Sequence, residues 1–379
     1  MTAPRAFNRW RIIPIVASDR EAVYVWERPT TDALLQMLRT EAELQDVGRS
    51  RFTGSLKARN KLWLDYRSFL RQAISNFRGA ASLEDRSSSL LYYYGMLNFA
   101  KAELLAAGHV AVLGPITHGL SFNTSRAKTV SGDSLTVKEG VFRLLYELRT
   151  GYSLPIGTRL PVPRLLSHIP EIGSQLEAVK AGRTELYGLL QLIAIDNTSA
   201  WALLAVDRQA DLEQQTSTNR LFRRYFEEVD VFDEWRDRFA VSKRWGGVRF
   251  FQAKSQSPYI SGNDSSLNTA VIAAAGNVGR IRDILGRSTQ GMWDGWLSPS
   301  LYRSKMLPMP PALARYAIAF YASSLVRYRP SIFDAQVSPN QAYLFDAIAR
   351  ECAIPMLVDT VSAIAQTDHT FIADDAMRN

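Results

Sequence analysis

Two apolar runs carry the side chains best spaced for chemistry. In RSSSLLYYYGMLNFAKAELL, Tyr94, Asn98 and Lys101 recur at i, i+4 and i+7, which lines them up on one face of a helix. In the late run YAIAFYASSLVRY, Ser323 and Arg327 repeat the i, i+4 spacing. A polar group left unpaired inside apolar surroundings costs about 1 to 3 kcal/mol, so each polar line needs a partner. His118 stands in GPITHGLS, directly after the first run. Together these residues outline a pocket in which Lys101 and Arg327 hold an anion and Asn98 and Tyr94 orient it. His118 would move protons there near neutral pH. The same side chains could instead cross-link two helices and a turn, setting registry and binding nothing.

Other chemistries have less behind them. Gly114 and Gly119 have the glycine spacing of a phosphate-cradling loop, yet Gly119 is followed by Leu120 rather than Lys, and the segment follows a helix rather than a strand. Nucleotide binding of that type is therefore not expected. The four histidines, His109, His118, His168 and His369, form no HExxH pair, and no GxSxG elbow is present, so no metal and no cofactor is expected. Gln252-Ala-Lys254, with Asp230 or Asp233 upstream, imitates the strand ending of restriction-type nucleases, but both acids fall in a helical pattern and the match reads as coincidence. Lys243, Arg244, Trp245 and Arg249 surround a Gly246-Gly247 turn beside Phe250 and Phe251. Such a hairpin can stack and neutralise a single nucleic-acid strand, or serve as an ordinary edge hairpin.

The positioning elements follow from hydrophobic period. Residues 1–30 alternate short apolar β-branched runs with the polar ASDRE, which predicts N-terminal strands that cap the main body, as a small hairpin or as edges. Residues 31–180 predict the first part of a helical core. Leu34, Leu35 and Leu38 start it, and its central helix follows Ser82, which with Asp85 makes a capping pattern, and ends near Gly108. GPITHGLSFN is expected as a loop and VKEGVFRLLYEL as a helix. Residues 181–262 change period: ELYGLLQLIAI and AWALLAVDR predict a hairpin, followed by the helical LFRRYFEEVDVFDEWRDRF and further strands. Residues 263–379 return to helix, with Pro330 ending one segment and Pro355 breaking another. The fold class is α-rich (α+β), a helical bundle core with a small mixed α/β insert and short N-terminal strands.

Composition bounds the setting. The chain has 379 residues, 46% hydrophobic and 22% charged, enough for a sizeable core. Cys352 is the only cysteine, which rules out an intrachain disulfide and fits a reducing cytoplasm. No stretch approaches the roughly 18 apolar residues of a membrane span, so no membrane is expected. The formal charge of +8 favours polyanions only if the charges share a face.

In order along the chain, RSSSLLYYYGMLNFAKAELL, HGLSF, VKEGVFRLLYEL, YAIAFYASSLVRYRPSIFD and IPMLVDTV resemble the YaaC-like family of bacterial proteins over about residues 50–360. The resemblance implies a mainly helical cytoplasmic protein and carries over no catalytic residue. The first helical part is also similar to HEPN-type bundles, whose nuclease signature is an Arg followed after a short spacing by a His on one helix. Here Arg164 and His168 have only three residues between them, so that activity is not carried over. The expected role is a binding or regulatory component recognising nucleic acid or another anionic ligand, in a defence or other multi-protein system. Two alternatives are a metal-independent nuclease or phosphotransfer-type enzyme using His118 with Lys101 and Arg327, and a purely structural subunit that pairs with itself or a protein partner.

Overall fold

In the computed structural model of the chain, the described residues are 11–15, 21–25, 29–83, 85–122, 130, 132–195, 199–207, 216–229, 248–254, 259–260, 265–281, 285–287, 295–302, 305–328, 330 and 339–371. They fall into two compact units, one drawn from 1–24 and 185–310, the other from 25–184 and 311–374. Two strands come first in the chain, β1 (Arg11–Ile15) and β2 (Ala22–Val25).

The second of these units is helical. It opens with α1 (Thr31–Glu43), α2 (Gln45–Ser50) and α3 (Leu56–Ala81). Thr30 accepts from Ala33 N at 3.2 Å and Ser55 from Ala58 N at 3.3 Å, so α1 and α3 each start on a hydroxyl cap. Leu34, Leu35 and Leu38 are buried on one face of α1. The central element is α4 (Asp85–Ala106), where Tyr93, Leu97, Phe99, Ala102 and Leu105 are buried on several sides. It packs against α3 and α5 (Val141–Thr150). After the short α6 (Val162–Leu166) and α7 (Gly173–Ala178), the chain leaves for the other unit and returns with the last three helices. Of these, α10 (Pro311–Tyr328) is apolar nearly all round, and α11 (Pro339–Glu351) and α12 (Ala353–Ala365) also lie against α4. The last strand, β13, covers Asp368–Phe371.

Several sequence expectations change in this unit. HGLSF is not loop but strand β3 (His118–Phe122), the edge of a three-stranded antiparallel sheet with β4 (Ser134–Gly140) and β5 (Arg159–Pro161). The VKEG expected to be helical closes β4, and the helix starts only at Val141. Ser82 does not cap α4; it ends α3, donating its hydroxyl to Gly79 O at 2.8 Å. Pro355 breaks nothing, because it stands in the first turn of α12, where a helix has N–H groups to spare. The interruption falls at Cys352.

The other unit is built on an antiparallel sheet. Its centre is the expected hairpin, β6 (Tyr187–Ile195) and β7 (Ser199–Val206), with Leu192 opposite Leu203. One half of the β6 edge takes β1, with Ile13 opposite Ile193, and the other half takes β12 (Gly295–Leu297), followed by β11 (Leu285–Arg287). The free edge of β7 is shared in the same way by β10 (Tyr259–Ile260) and β9 (Arg249–Ala253), and β8 (Phe226–Val229) lies beyond β9. Residues 187–194 are buried without alternation, as in a sheet covered on both faces. α9 (Ser265–Ile281) covers one face through Ala270 and Ala274, and Phe222 of α8 (Thr216–Tyr225) stacks on Phe226 and meets Phe251 edge-on.

Here too the boundaries differ from expectation. Of the two arrangements expected for the N-terminal strands, β1 takes the edge position, along β6, rather than the hairpin. The segment LFRRYFEEV is helical only to Tyr225 and then becomes β8. The sheet unit continues past residue 262 to Pro310 and takes in α9, β11 and β12, which fall within the expected 263–379 part. Periodicity alone cannot say that α9 covers a sheet rather than a helix.

Candidate functional site

Three elements of the helical unit bring basic side chains to one place. α4 supplies Tyr94 and Lys101, β3 supplies His118, and the last turn of α10 supplies Arg327. All four side chains are half-buried.

His118 is aimed by the local backbone. It opens β3 opposite Gly140, and the register shifts between His118 and Leu120. Gly119 makes this bulge with φ of +82°, and a Cβ there would sit 2.7 Å from Phe142 N. Gly140, with φ of +143°, lets β4 turn into α5 while Val141 N donates to Thr117 O at 3.0 Å. α5 has no side-chain cap, so its positive end begins beside the strand that carries the histidine. The imidazole packs edge-on against Tyr93, with ring centres 5.6 Å apart, and near Phe320 at 6.2 Å.

Arg327 is held from two sides. Its Nε donates to Ser323 O at 3.2 Å and one terminal nitrogen donates to the Tyr94 hydroxyl at 3.2 Å. The guanidinium lies 5.8 Å from the centre of the Tyr94 ring and 5.0 Å from that of Tyr328. Lys101 passes over Phe69 of α3, its Nζ 5.5 Å from the ring centre. Burial lowers the Lys101 pKa below the usual lysine value. The His118 pKa is also lowered, first by burial and then by the charges of Arg327 and Lys101. Both cations are thus close enough to be felt at the imidazole. Among the described residues no carboxylate neutralises Lys101, His118 or Arg327.

Two members of the expected set stand apart. Asn98 Nδ2 donates to Tyr94 O at 2.9 Å within α4, and Ser323 Oγ donates to Phe320 O at 2.9 Å within α10. Each satisfies itself on its own helix, which is how such side chains often live in apolar surroundings. Elsewhere, Lys243, Arg244 and Trp245 lie outside the described residues. Arg249 starts β9, half exposed, with Glu228 at 3.4 Å. His168 is fully buried with Nδ1 2.6 Å from Arg164 O.

Sequence reasoning missed a second polar cluster in the same unit. Arg315, 1% exposed, makes a fork on Glu171 at 3.0 and 2.5 Å and a further bond to Asp359 at 2.5 Å. Burial opposes its charge, yet Glu171 and Asp359 outweigh burial and raise its pKa. Arg149 and Glu103 form a similar fork at 3.0 and 2.6 Å. Tyr321 donates to Asp133 at 2.6 Å. These are closed pairs that leave little to offer a ligand. No group of three His, Cys, Asp or Glu side chains among the described residues could hold a metal ion, and no described helix is long and apolar enough to cross a membrane.

No curated protein and no solved structure matches the chain. A family model described as YaaC-like protein matches residues 39–348, a span that includes Tyr94, Lys101, His118 and Arg327. Because that match takes in most of its length, the chain belongs to the YaaC-like protein family.

Proposed function

We propose that the protein is a binding component whose helical unit takes an anionic, phosphate-type ligand on Lys101, His118 and Arg327. One contrast supports this reading. Four other buried or half-buried arginines of the unit have acids beside them: Arg51 has Glu41, Arg67 has Glu43, Arg149 has Glu103, and Arg315 has Glu171 and Asp359. Lys101 and Arg327 have none among the described residues. Of the five N–H groups of a guanidinium, Arg327 uses two on the described residues, which leaves three without a described acceptor. Half-buried cations without counter-charge are costly to hold, and an arriving anion repays that cost. The formal charge of +8 adds long-range attraction for the same class of ligand.

Nucleic acid is one source of such phosphates, and a regulatory role in the cytoplasm follows most simply if it is the ligand. The test is to incubate the full chain with labelled RNA and DNA in chelator, at low and high salt. Saturable binding that weakens with salt, fades in Lys101→Met and Arg327→Met, and leaves the polymer intact supports the reading. Chelator-resistant cleavage abolished by His118→Ala would replace it with catalysis by the imidazole, whose ring nitrogens make no hydrogen bond among the described residues. Absence of binding to RNA, DNA and inorganic phosphate would leave only a structural role.

A further inference from the structure

Resting on that reading, we infer that the anion is a nucleoside phosphate group whose base stacks on Tyr328 beside the Arg327 guanidinium. Tyr328 closes α10 and is 62% exposed, whereas residues 313–325 of the same helix are all buried. The Arg327 guanidinium lies 5.0 Å from the centre of its ring. The guanidinium therefore bridges two tyrosines of different burial. Tyr94, half-buried, accepts its hydrogen bond, whereas Tyr328 offers an open ring to solvent.

The chemistry that recognises this arrangement is bipartite. A phosphate satisfies the free N–H groups of Arg327 and the ammonium of Lys101, and a flat aromatic ring attached to it covers Tyr328. Every base has a π-face, so the stacking is tolerant of sequence, and the adjacent cation strengthens it. A bare inorganic anion leaves Tyr328 unused. An acidic peptide would supply charge but no ring at a fixed distance from it. Free nucleotide and single-stranded nucleic acid share the chemistry, and the length dependence of binding separates them.

The experiment measures affinities of the full chain for inorganic phosphate, ribose 5-phosphate, AMP and a short single-stranded oligoadenylate, by calorimetry at low salt. AMP is expected to bind more tightly than ribose 5-phosphate. Tyr328→Ala should weaken AMP about 5- to 150-fold, the range of one base stacked on an aromatic side chain, and leave ribose 5-phosphate unchanged. Tyr328→Phe should retain AMP binding. Tighter binding of the oligonucleotide than of AMP identifies a strand, and equal binding identifies a free nucleotide. Equal affinities for AMP and ribose 5-phosphate, or equal loss of both in Tyr328→Ala, would overturn the base-stacking inference while leaving anion binding intact. Failure of all four ligands to bind the wild-type chain would overturn both.

Discussion

The same helix carries one arginine that the fold needs and one that the fold merely tolerates, and the same substitution should tell them apart. Arg315 and Arg327 both lie on α10. Arg315 is sealed, with one carboxylate in a two-bond fork and a second at 2.5 Å. Arg315→Met leaves Glu171 and Asp359 in a desolvated site without their cation. Breaking one buried pair from a single side costs about 3 to 5 kcal/mol, and Arg149, whose charge reaches Asp359, recovers only part of this. Arg327→Met removes one hydrogen bond to a half-buried hydroxyl and one to a backbone carbonyl of its own helix. A typical net loss is about 1 kcal/mol per bond, and both partners can turn to water. Water replaces much of what is lost, so the net cost should be about 1 kcal/mol or less. For a unit of this size each kcal/mol moves the melting temperature by about 2 to 4 °C. The melting temperature should therefore fall by roughly 6 to 20 °C in Arg315→Met and by no more than about 4 °C in Arg327→Met. Thermal and urea unfolding followed by circular dichroism gives both numbers. Equal destabilisation by the two substitutions would make Arg327 a structural cross-link and remove the argument that its charge is kept for a ligand.

Three further outcomes are expected. The depressed His118 pKa means the imidazole is neutral at pH 7, so its contribution to stability is present above about 6.5 and lost as pH falls through its lowered folded value. A bound dianion reverses that shift, so titration with sulfate, which does not ionise in this range, should take up protons and tighten between pH 7.5 and about 5.5; calorimetry in two buffers of different ionisation heat reads the uptake, and proton-neutral binding counts against the imidazole as a contact. Gly119→Ala should cost about 2 kcal/mol or more, since φ of +82° is strained for alanine and its Cβ would meet Phe142 N at 2.7 Å; a neutral effect in urea unfolding would mean the bulge is not fixed. Glu43 is held near pKa 2 by its bonds to Arg71 and Arg67, below the ordinary 4.5, so its stabilising effect is present above 4.5 and lost as pH falls toward 2. Glu43→Gln should flatten acid unfolding in that window, and an unchanged acid limb would show that those exposed bonds contribute nothing.

Much of the architecture is legible in residue patterns because burial imposes a period. The leucines of α1, the run that becomes α4 and the continuous apolar stretch of β6 all announce themselves in this way. β3 does not. It is a short strand with a histidine at one end and a glycine bulge inside, and those features read as a turn until β4 is seen beside it. The pairing of Tyr94 with Arg327 follows from matching two polar lines on apolar helices, yet the same logic enlists Asn98 and Ser323, which bond within their own helices. Spacing cannot tell a polar side chain that seeks a neighbour from one that folds back on its own turn. Arg315 was invisible for a different reason. Its acids lie 144 and 44 residues away, and nothing local marks an arginine as buried. Tyr328 likewise looks like one more aromatic of α10 until its exposure is known.

The central claim is that Lys101, His118 and Arg327 form an anion site rather than a registry lock. A calorimetric titration of the full chain with inorganic phosphate at low salt, repeated on the Lys101→Met, Arg327→Met double variant, tests it most directly. The account predicts one saturable site per chain, weakened by added salt and absent from a double variant that remains folded. Phosphate binding that is unchanged in the double variant, or missing from the wild-type chain, would contradict it.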